Sequence, residues 1–317
     1  MSRPGAVRVA AIDCGTNSLR MLIADLDRGA NRLTDVDRRM EIVRLGQGVD
    51  ATGRLAPEPL ARTFRALAAY ADAIKQAAAV SVRMVATSAT RDAANAGEFV
   101  SGVTGILGVA PEVLSGDEEA ALSFTGATAE LRGEPPPPYL VVDIGGGSTE
   151  FVLGTGATPP TAGLSVDIGC VRLTERHLHS DPPRPAEIAA ATADIDAALD
   201  LVAAKVPVAT ARTVIGLAGS VTTVAAIALG LGAYDPGRIH HARIPAPRVH
   251  EVTGELLSQT RQQRARIGVM HPGRVDVIGA GALVLDRVLA RFGFAEVMAS
   301  EHDILDGIAW SMWPGTA

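Results

Sequence analysis

The sequence predicts an α/β protein built from two similar halves, and three observations carry this prediction. The chain has 317 residues, more than one hydrophobic core usually supports, so two domains of about 150 residues each are expected. The segment from Ala11 to Ser18 is echoed by the segment from Val142 to Ser148, with aspartate, glycine and serine at the same offsets. Elsewhere, short apolar strands alternate with longer segments of helical periodicity, which is typical of α/β folds.

Both copies of the repeat are predicted to be hairpin turns. The first lies between apolar strands at residues 7–12 and 19–24, and the second between strands at 139–142 and 151–153. A duplicated hairpin indicates a duplicated fold. The proline run from Pro135 to Pro138, which favours a stiff extended connection, places a boundary between the two lobes just before the second copy.

The other elements follow from apolar spacing and from capping signals. Strands are predicted at residues 81–86 and 213–217, and helices at residues 59–80, from 116 onwards, 185–206, 248–266, 275–292 and 304–310.

Composition excludes several classes of function. The formal net charge of −6 provides no basic face for nucleic acid or membrane surfaces. Two distant cysteines and a short apolar N-terminal stretch favour a reducing, cytoplasmic location without export. The segment from Thr213 to Tyr234 carries no charge, but its glycines, serine and threonines predict a buried strand, turn and helix rather than a membrane span.

The glycine-rich turns are the main candidates for binding phosphate, because glycine lets backbone amides approach an anion and hydroxyl groups add donors. A nucleotide-binding P-loop is excluded, since neither Lys75 nor Lys205 follows a glycine-rich turn. One such motif alone could be an ordinary tight turn, whereas two matching copies and a third turn favour convergent phosphate loops. The candidate phosphate-binding residues are Asp13, Gly15, Thr16, Asn17 and Ser18 in the first copy, Gly145, Gly146, Gly147 and Ser148 in the second, and Gly219, Ser220 and Thr222 in the third turn.

Three acidic residues are candidates for catalysis and metal binding. Asp143 could hold Mg²⁺, which is typically bound by one or two carboxylates together with phosphates, or it could cap its turn. Glu119 and Glu150 are the candidate acid–base pair, since a carboxylate can orient and deprotonate an attacking water. For Glu119 the alternative is a solvated glutamate in a first helical turn, whereas Glu150 stands at a strand start, where glutamate is disfavoured.

Arginine is the expected cationic partner of the phosphate. Arg91 follows a predicted strand end and could neutralise phosphate charge, or it could be a surface arginine; Arg266 and Arg274 are weaker candidates of the same kind. His240 and His241 are interpreted as a solvated loop rather than a zinc site.

The chain resembles the Ppx/GppA family of exopolyphosphatases and guanosine pentaphosphate phosphohydrolases, within the actin/Hsp70/sugar-kinase superfamily. The resemblance covers almost the whole chain. Four motifs in order carry it, namely the segments from Ala11 to Ser18, Ala86 to Arg91, Ser115 to Ala120, and Asp143 to Glu150. Similar too are the segments at 216–223 and from His271 to Gly281.

The resemblance implies a two-lobed, actin-like fold of the ASKHA, ribonuclease H-like type with an interdomain cleft. Domain I would span residues 1–123 and regain a C-terminal helix at 300–317, with domain II at 124–299. Glu119 would be the catalytic base, Glu150 its partner beside the metal, and Asp143 an Mg²⁺ ligand. The second loop would cradle the attacked phosphate, while Asn17, Ser18 and Arg91 bind from the other lobe. A monovalent cation such as K⁺ is an optional second ion, and a homodimer is expected.

The function expected from these features is hydrolysis of the terminal phosphoanhydride of short-chain polyphosphate. The preference for short chains follows from the end of the sequence at Ala317, where longer relatives continue into further helical domains. A second departure is Asp306, an acid where many relatives have arginine before the glycine. The alternatives are 5′-phosphohydrolysis of guanosine pentaphosphate (pppGpp), an actin-like ATP-binding switch or sugar kinase, and a non-catalytic polyphosphate sensor.

Overall fold

The computed structural model describes residues 6–27, 29–131, 135–156 and 159–313, so the predicted C-terminal segment at 314–317 lies outside the described residues. The chain forms two compact units. Unit 1 comprises Met1–Glu130 together with Asp303–Ala317, and unit 2 comprises Leu131–His302. The first boundary between the units lies after Glu130, beyond the boundary predicted between residues 123 and 124. The reason is that the helix that begins at Gly116 continues through the predicted boundary to Thr128.

Unit 1 contains a five-stranded sheet in the order β3-β2-β1-β4-β5. Its strands β1 and β2 form the first predicted hairpin, and β1, β4 and β5 are parallel. The elements are β1 (Val7–Cys14), β2 (Ser18–Asp27), β3 (Arg32–Ile42), α1 (Val49–Thr52), α2 (Pro57–Ala77), β4 (Ser81–Ala86), α3 (Ser88–Arg91), α4 (Ala96–Leu107), β5 (Glu112–Val113), α5 (Gly116–Thr128) and, after unit 2, α13 (Ile304–Ser311).

The two faces of this sheet are covered by different parts of the chain. Because side chains alternate across a strand, Ala10 and Ile12 face one way and Val9 and Ala11 the other. The first face packs under α2 and α4. The second packs against α13, whose residues Ile304, Leu305, Ile308 and Ala309 are buried in that cluster.

Unit 2 contains a six-stranded sheet in the order β10-β11-β9-β6-β7-β8, with helices packed on it. Its elements are β6 (Tyr139–Ile144), β7 (Thr149–Gly154), β8 (Ala162–Val166), α6 (Cys170–His177), α7 (Pro185–Lys205), β9 (Thr213–Leu217), α8 (Ala218–Ala228), α9 (Pro236–Ile239), β10 (Arg243–Pro245), α10 (Ala246–Ser258), α11 (Arg261–Arg264), α12 (Ile278–Phe292) and β11 (Glu296–Ala299).

The two sheets have the same topology. In unit 2, β6 pairs antiparallel with β7 and parallel with β9, as β1 pairs with β2 and β4 in unit 1. The third antiparallel strand (β3 or β8) and the third parallel strand (β5 or β11) take matching places, and β10 is an addition at one edge. The predicted α/β class is therefore confirmed, and the duplicated sheet is that of the actin-like, ribonuclease H-like fold.

Several predicted elements differ in their bounds. The helix expected at 248–266 is divided into α10 and α11 by Gln259 and Thr260, both in extended conformation. The helix expected from residue 275 begins at Ile278, because a 3₁₀ turn at Pro272–Arg274 precedes it. The uncharged segment from Thr213 forms β9 and α8, and nowhere in the described ranges is a helix both long and apolar enough to cross a membrane.

Candidate active site

The two loops of the repeat have the same hydrogen-bonded turn. The amide of Gly15 donates to the carbonyl of Ser18 over 3.0 Å, and the amide of Gly145 donates to the carbonyl of Ser148 over 3.0 Å. The strands leaving each turn are in the same register, so that Asp13 stands opposite Arg20 and Asp143 opposite Glu150. The repeat therefore places an aspartate at equivalent positions in both units but gives it partners of opposite charge.

In unit 1 the aspartate is paired with a cation. Arg20 donates to Oδ2 of Asp13 through Nε and Nη2, at 3.0 and 2.7 Å, and through Nη1 to Asp303. Oδ1 of Asp13 is buried and has no hydrogen-bond partner within the described part of the chain. Burial raises the pKa of Asp13, and the charge of Arg20 offsets that rise only in part.

The ion pairs continue from Asp303 into the C-terminal helix. Asp303 accepts a hydrogen bond from the amide of Leu305, and its own amide donates to Oδ2 of Asp306. Asp306, which is buried, also accepts a 2.5 Å hydrogen bond from Nη2 of Arg38 on β3. Asp306 is thus a structural anchor of α13 in unit 1, which accounts for an acid at this position.

The rest of the first loop is held from within unit 1. The hydroxyl groups of Thr16 and Ser88 lie 2.8 Å apart, and the carbonyl of Thr16 accepts from the amide of Gly46. The carbonyl of Asn17 accepts from the amides of Val43 and Arg44. The predicted phosphate-binding residues of this copy therefore form one fixed turn.

Glu119 lies in the first turn of α5 and is positioned by the cap of that helix. Ser115 and Glu118 form a reciprocal capping box, in which Glu118 turns back to the N-cap amide and its pKa is lowered by that amide. Glu119 itself is buried, with 8% of its surface exposed, so it is not the solvated glutamate of the alternative interpretation. Nη1 of Arg91 contacts its Oε2 at 3.2 Å and the carbonyl of Leu114 at 2.9 Å.

In unit 2 two carboxylates face each other. Asp143 and Glu150 are directly opposite on β6 and β7, with 7% and 1% of their surfaces exposed. Directly opposed residues of an antiparallel pair project from the same face with Cβ atoms about 5 Å apart, and like charges there are destabilising. The hydroxyl of Ser165 on β8 donates to Oε1 of Glu150 over 2.7 Å. Two adjacent buried carboxylates beside a glycine-rich loop are a donor set that fits Mg²⁺.

The second glycine-rich loop lies at the end of these strands with its carbonyls held by the start of α6. Backbone amides of the segment from Gly169 to Arg172 donate to the carbonyls of Gly145, Gly146 and Gly147. A Cβ atom on Gly169 would lie 2.3 Å from the backbone of Gly146, so the close contact requires glycine.

The third turn opens α8. Ala218 adopts a left-handed backbone conformation at φ 64°, and Ser220 and Thr222 are buried in the first two turns of the helix. The guanidinium of Arg274 lies against Gly219, donating through Nη1 to the carbonyl of Gly219 over 2.9 Å and to the hydroxyl of Thr223 over 3.2 Å. Arg274 therefore stands at the third predicted phosphate turn, whereas Arg266 is exposed on the surface.

Sequence reasoning missed the residues that support the predicted ones. Ser165, Arg172, Arg20 and Asp303 have no motif of their own, and only strand register brings Ser165 opposite Glu150 or Arg20 opposite Asp13. The signal that could have found Ser165 and Arg20 is the register itself, once the hairpins are assumed. His240 and His241 stack with centroids 3.7 Å apart, and His240 accepts at Nδ1 from the amide of Glu301.

Comparisons with known proteins identify the family of the chain. Residues 22–315 match the model of the Ppx/GppA phosphatase family. The chain is 51% identical over 316 residues to Exopolyphosphatase 2 of Mycobacterium tuberculosis, covering 96% of this chain and 98% of that one. It is 29% identical over 304 residues to the Guanosine-5′-triphosphate,3′-diphosphate pyrophosphatase of Aeromonas salmonicida, covering 96% of this chain and 59% of that protein. A crystal structure described as an exopolyphosphatase-like protein superposes with a TM-score of 0.92 at 44% identity, covering 96% of this chain and 98% of the other. The repeat, the buried acidic pair and these similarities together establish that the chain is an enzyme belonging to the Ppx/GppA phosphatase family.

Proposed function

We propose that this enzyme is an exopolyphosphatase that hydrolyses the terminal phosphoanhydride bond of short-chain inorganic polyphosphate and releases orthophosphate. The observation that carries the proposal is the buried Asp143–Glu150 pair next to the glycine-rich loop of unit 2. The 51% identity with a relative named Exopolyphosphatase 2 supports the same substrate.

In this proposal, the glycine-rich loop binds the terminal phosphate. The amides of Gly146, Gly147 and Ser148 donate to its oxygens, and these fixed donors stabilise the charge that is redistributed in the transition state. The other predicted phosphate residues, in the first loop and in the turn at Gly219, Ser220 and Thr222, contribute further donors.

Asp143 and Glu150 are proposed to hold Mg²⁺. When bound, the ion supplies positive charge that neutralises the phosphate oxygens and assists in-line displacement. Ser165 keeps one oxygen of Glu150 hydrogen-bonded, so the carboxylate has a defined orientation.

Glu119 is proposed as the general base. It takes a proton from water while the water oxygen forms a bond to the terminal phosphorus and the bridging P–O bond breaks. The products are orthophosphate and a polyphosphate shorter by one unit, and the proton held by Glu119 returns to solvent. Arg91, which contacts the Glu119 carboxylate at 3.2 Å, fixes the position of this base.

A second candidate substrate is pppGpp, whose 5′-terminal phosphoanhydride requires the same chemistry. The observation that favours it is the similarity to the guanosine pentaphosphate pyrophosphatase of Aeromonas salmonicida. The higher identity and the fuller coverage of the exopolyphosphatase relative make polyphosphate the first choice.

The decisive experiment measures orthophosphate release by the purified protein from short polyphosphate, long polyphosphate, pppGpp and ATP, each with Mg²⁺ and with EDTA. Release from short polyphosphate, dependent on Mg²⁺ and faster than from the other substrates, supports the proposal. Faster release from pppGpp transfers the assignment to the second candidate. Turnover of ATP alone identifies a switch or kinase, and binding without release identifies a sensor.

The proposal extends to a cytoplasmic homodimer that uses K⁺ as an optional second ion. Light scattering on the eluting protein gives the mass in solution, which should be twice 32.7 kDa. Replacing K⁺ by Na⁺ in the assay should lower the rate if the monovalent ion takes part.

A further inference from the structure

The carbonyl groups of the glycine-rich loop of unit 2 accept hydrogen bonds from the start of α6. The carbonyl of Gly145 accepts from the amide of Cys170 over 2.9 Å, and the carbonyl of Gly146 accepts from the amides of Val171 and Arg172 over 2.8 and 3.1 Å. The carbonyl of Gly147 accepts from the amide of Gly169 over 3.1 Å. Every carbonyl from residue 145 to residue 147 thus faces the start of α6.

This arrangement fixes where the amides of the loop point. In a trans peptide unit the C=O and the following N–H point in opposite directions, and the loop has no cis peptide bond. The amides of Gly146, Gly147 and Ser148 are therefore directed away from α6. The first turn of α6, which would otherwise attract an anion itself, instead donates to the carbonyls and leaves the loop amides as the donors.

The side chain of Arg172 also donates a hydrogen bond to a carbonyl of the loop. Nε of Arg172 donates to the carbonyl of Gly147 over 2.7 Å, and Nη2 lies 3.6 Å from Oδ1 of Asp167. The Arg172 side chain is only 11% exposed, whereas that of Asp167 is 69% exposed. The guanidinium is therefore ordered on the carbonyl side of the loop, opposite the side to which the amides point.

We propose that Arg172 is a positioning residue for phosphate recognition, acting through the carbonyl of Gly147 rather than by touching the phosphate. The inference rests on the proposed function, in which this loop binds the terminal phosphate. It adds a residue that no phosphate motif contains.

Two physical effects give Arg172 this role. Three consecutive glycines have wide conformational freedom, so a strong bond to the carbonyl of Gly147 reduces the cost of ordering the loop around an anion. A charge-assisted hydrogen bond also polarises the peptide unit that joins Gly147 to Ser148, and the amide of Ser148 becomes a stronger donor.

The test compares three single variants with the wild-type protein. Arg172→Met removes the donor while keeping an unbranched stem, and Arg172→Lys keeps a charge and a donor. Arg176→Met is the matched control, because Arg176 lies on the same helix and makes a part-exposed ion pair with Asp194. For each protein, calorimetry gives the dissociation constant for orthophosphate with Mg²⁺, and kinetics with short polyphosphate gives KM and kcat at several salt concentrations.

We expect Arg172→Met to raise the orthophosphate dissociation constant and KM by about tenfold, the size expected for one charge-assisted hydrogen bond. The dependence of KM on salt should change only slightly, because the guanidinium lies beside Asp167 on the carbonyl side of the loop and acts on a bound phosphate only through the loop. Arg172→Lys should recover part of the loss, and Arg176→Met should match the wild type.

Two results would overturn the inference: wild-type phosphate affinity and KM in Arg172→Met, or a clear weakening of its salt dependence, which would indicate a direct contact. If Arg172→Met fails to fold, as judged by circular dichroism, the inference is tested on Arg172→Lys instead. The same two results, unchanged affinity and KM or a clearly weaker salt dependence, would overturn it. A wild-type protein that releases no phosphate from any substrate refutes the proposed function, while orthophosphate binding still tests the role of Arg172.

Discussion

The hydroxyl of Ser165 donates a 2.7 Å hydrogen bond to Oε1 of Glu150, a carboxylate that is 1% exposed. The two residues are directly opposite on β7 and β8, so the register of this strand pair determines how the carboxylate is oriented. A buried carboxylate oxygen that loses its donor costs roughly 1 to 3 kcal/mol. The orientation of Glu150 therefore depends on a residue from the neighbouring strand.

Replacing Ser165 by alanine should lower kcat for phosphate release by about tenfold or more, because Oε1 of Glu150 then loses the hydrogen bond that helps to orient the carboxylate. Ser165→Thr keeps the hydroxyl and should restore most of the rate, which distinguishes orientation from simple packing. Steady-state kinetics with short polyphosphate measures both variants. Equal activity of wild type and Ser165→Ala would show that this hydrogen bond does not matter for catalysis.

Glu119 and Glu118 are adjacent in one helical turn but should respond very differently to the same substitution. Glu119→Gln should reduce kcat by about two to four orders of magnitude, the usual contribution of a general base, while orthophosphate still binds. Glu118→Gln is the matched control, since glutamine also completes a capping box and should leave kcat unchanged. Comparable losses in both variants would point to damage to α5 and against a base at Glu119.

Gly169→Ala tests the close contact behind the glycine-rich loop. The added Cβ would lie 2.3 Å from the backbone of Gly146 and 2.4 Å from that of Gly147, so the loop must move. We expect KM to rise and kcat to fall, with a stability loss on the order of 1 to 3 kcal/mol from overpacking. Gly163→Ala on β8 is the control, because its Cβ would make only an ordinary van der Waals contact, 3.6 Å from the carbonyl oxygen of Phe151. Unchanged kinetics in Gly169→Ala would mean that the loop tolerates displacement.

Asp303→Asn should destabilise unit 1 in a pH-dependent way. Burial alone would raise the pKa of Asp303, but the charge of Arg20, the amide of Leu305 and the charge of Arg38 hold it below its ordinary value. A folded pKa below the unfolded value stabilises the protein above the unfolded pKa of about 3.9, and this contribution is lost as pH falls below it. At pH 7 the variant should therefore lose roughly 2 to 3 kcal/mol of unfolding free energy, and the difference should shrink towards pH 3.

Urea unfolding followed by tryptophan fluorescence measures this effect, since both tryptophans, Trp310 and Trp313, belong to unit 1. Asp200→Asn, in an exposed ion pair with Arg291, should match the wild type at every pH. A difference between wild type and Asp303→Asn that stays constant from pH 7 to pH 3 would contradict the assigned pKa shift.

The sequence could predict the repeat because its determinants are local. Glycine and serine at fixed offsets between apolar strands specify a hairpin turn, and the two turns have the same closing hydrogen bond. The predicted strand at 213–217 also matches β9. In contrast, β3 has mostly exposed, charged residues and lacks a strong apolar pattern. Helix α6 is only eight residues long and begins in contact with a distant loop, so too few residues carry its periodicity.

The supporting residues of the site could not be predicted, because their roles come from tertiary pairing. Nothing near Arg172 in the sequence indicates that its side chain reaches a carbonyl 25 residues earlier in the chain. Asp306 likewise stood out as unusual, and only its contact with Arg38 on β3 explains it. Motifs therefore point to the residues that are predicted to bind the ligand, whereas the structure identifies the residues that hold them in place.

The order of synthesis on the ribosome constrains how unit 1 can mature. One face of its sheet is covered by α13. The backbones of α13 and α5 are also so close that a Cβ on Gly307 would lie 2.0 Å from the carbonyl oxygen of Leu122. Residues 303–311 are translated only after the whole of unit 2, so the nascent first half keeps an uncovered apolar face until α13 has been made. Unit 2, which is contiguous in sequence, can close its core first, and a truncation that removes α13 exposes the sheet of unit 1 rather than the core of unit 2.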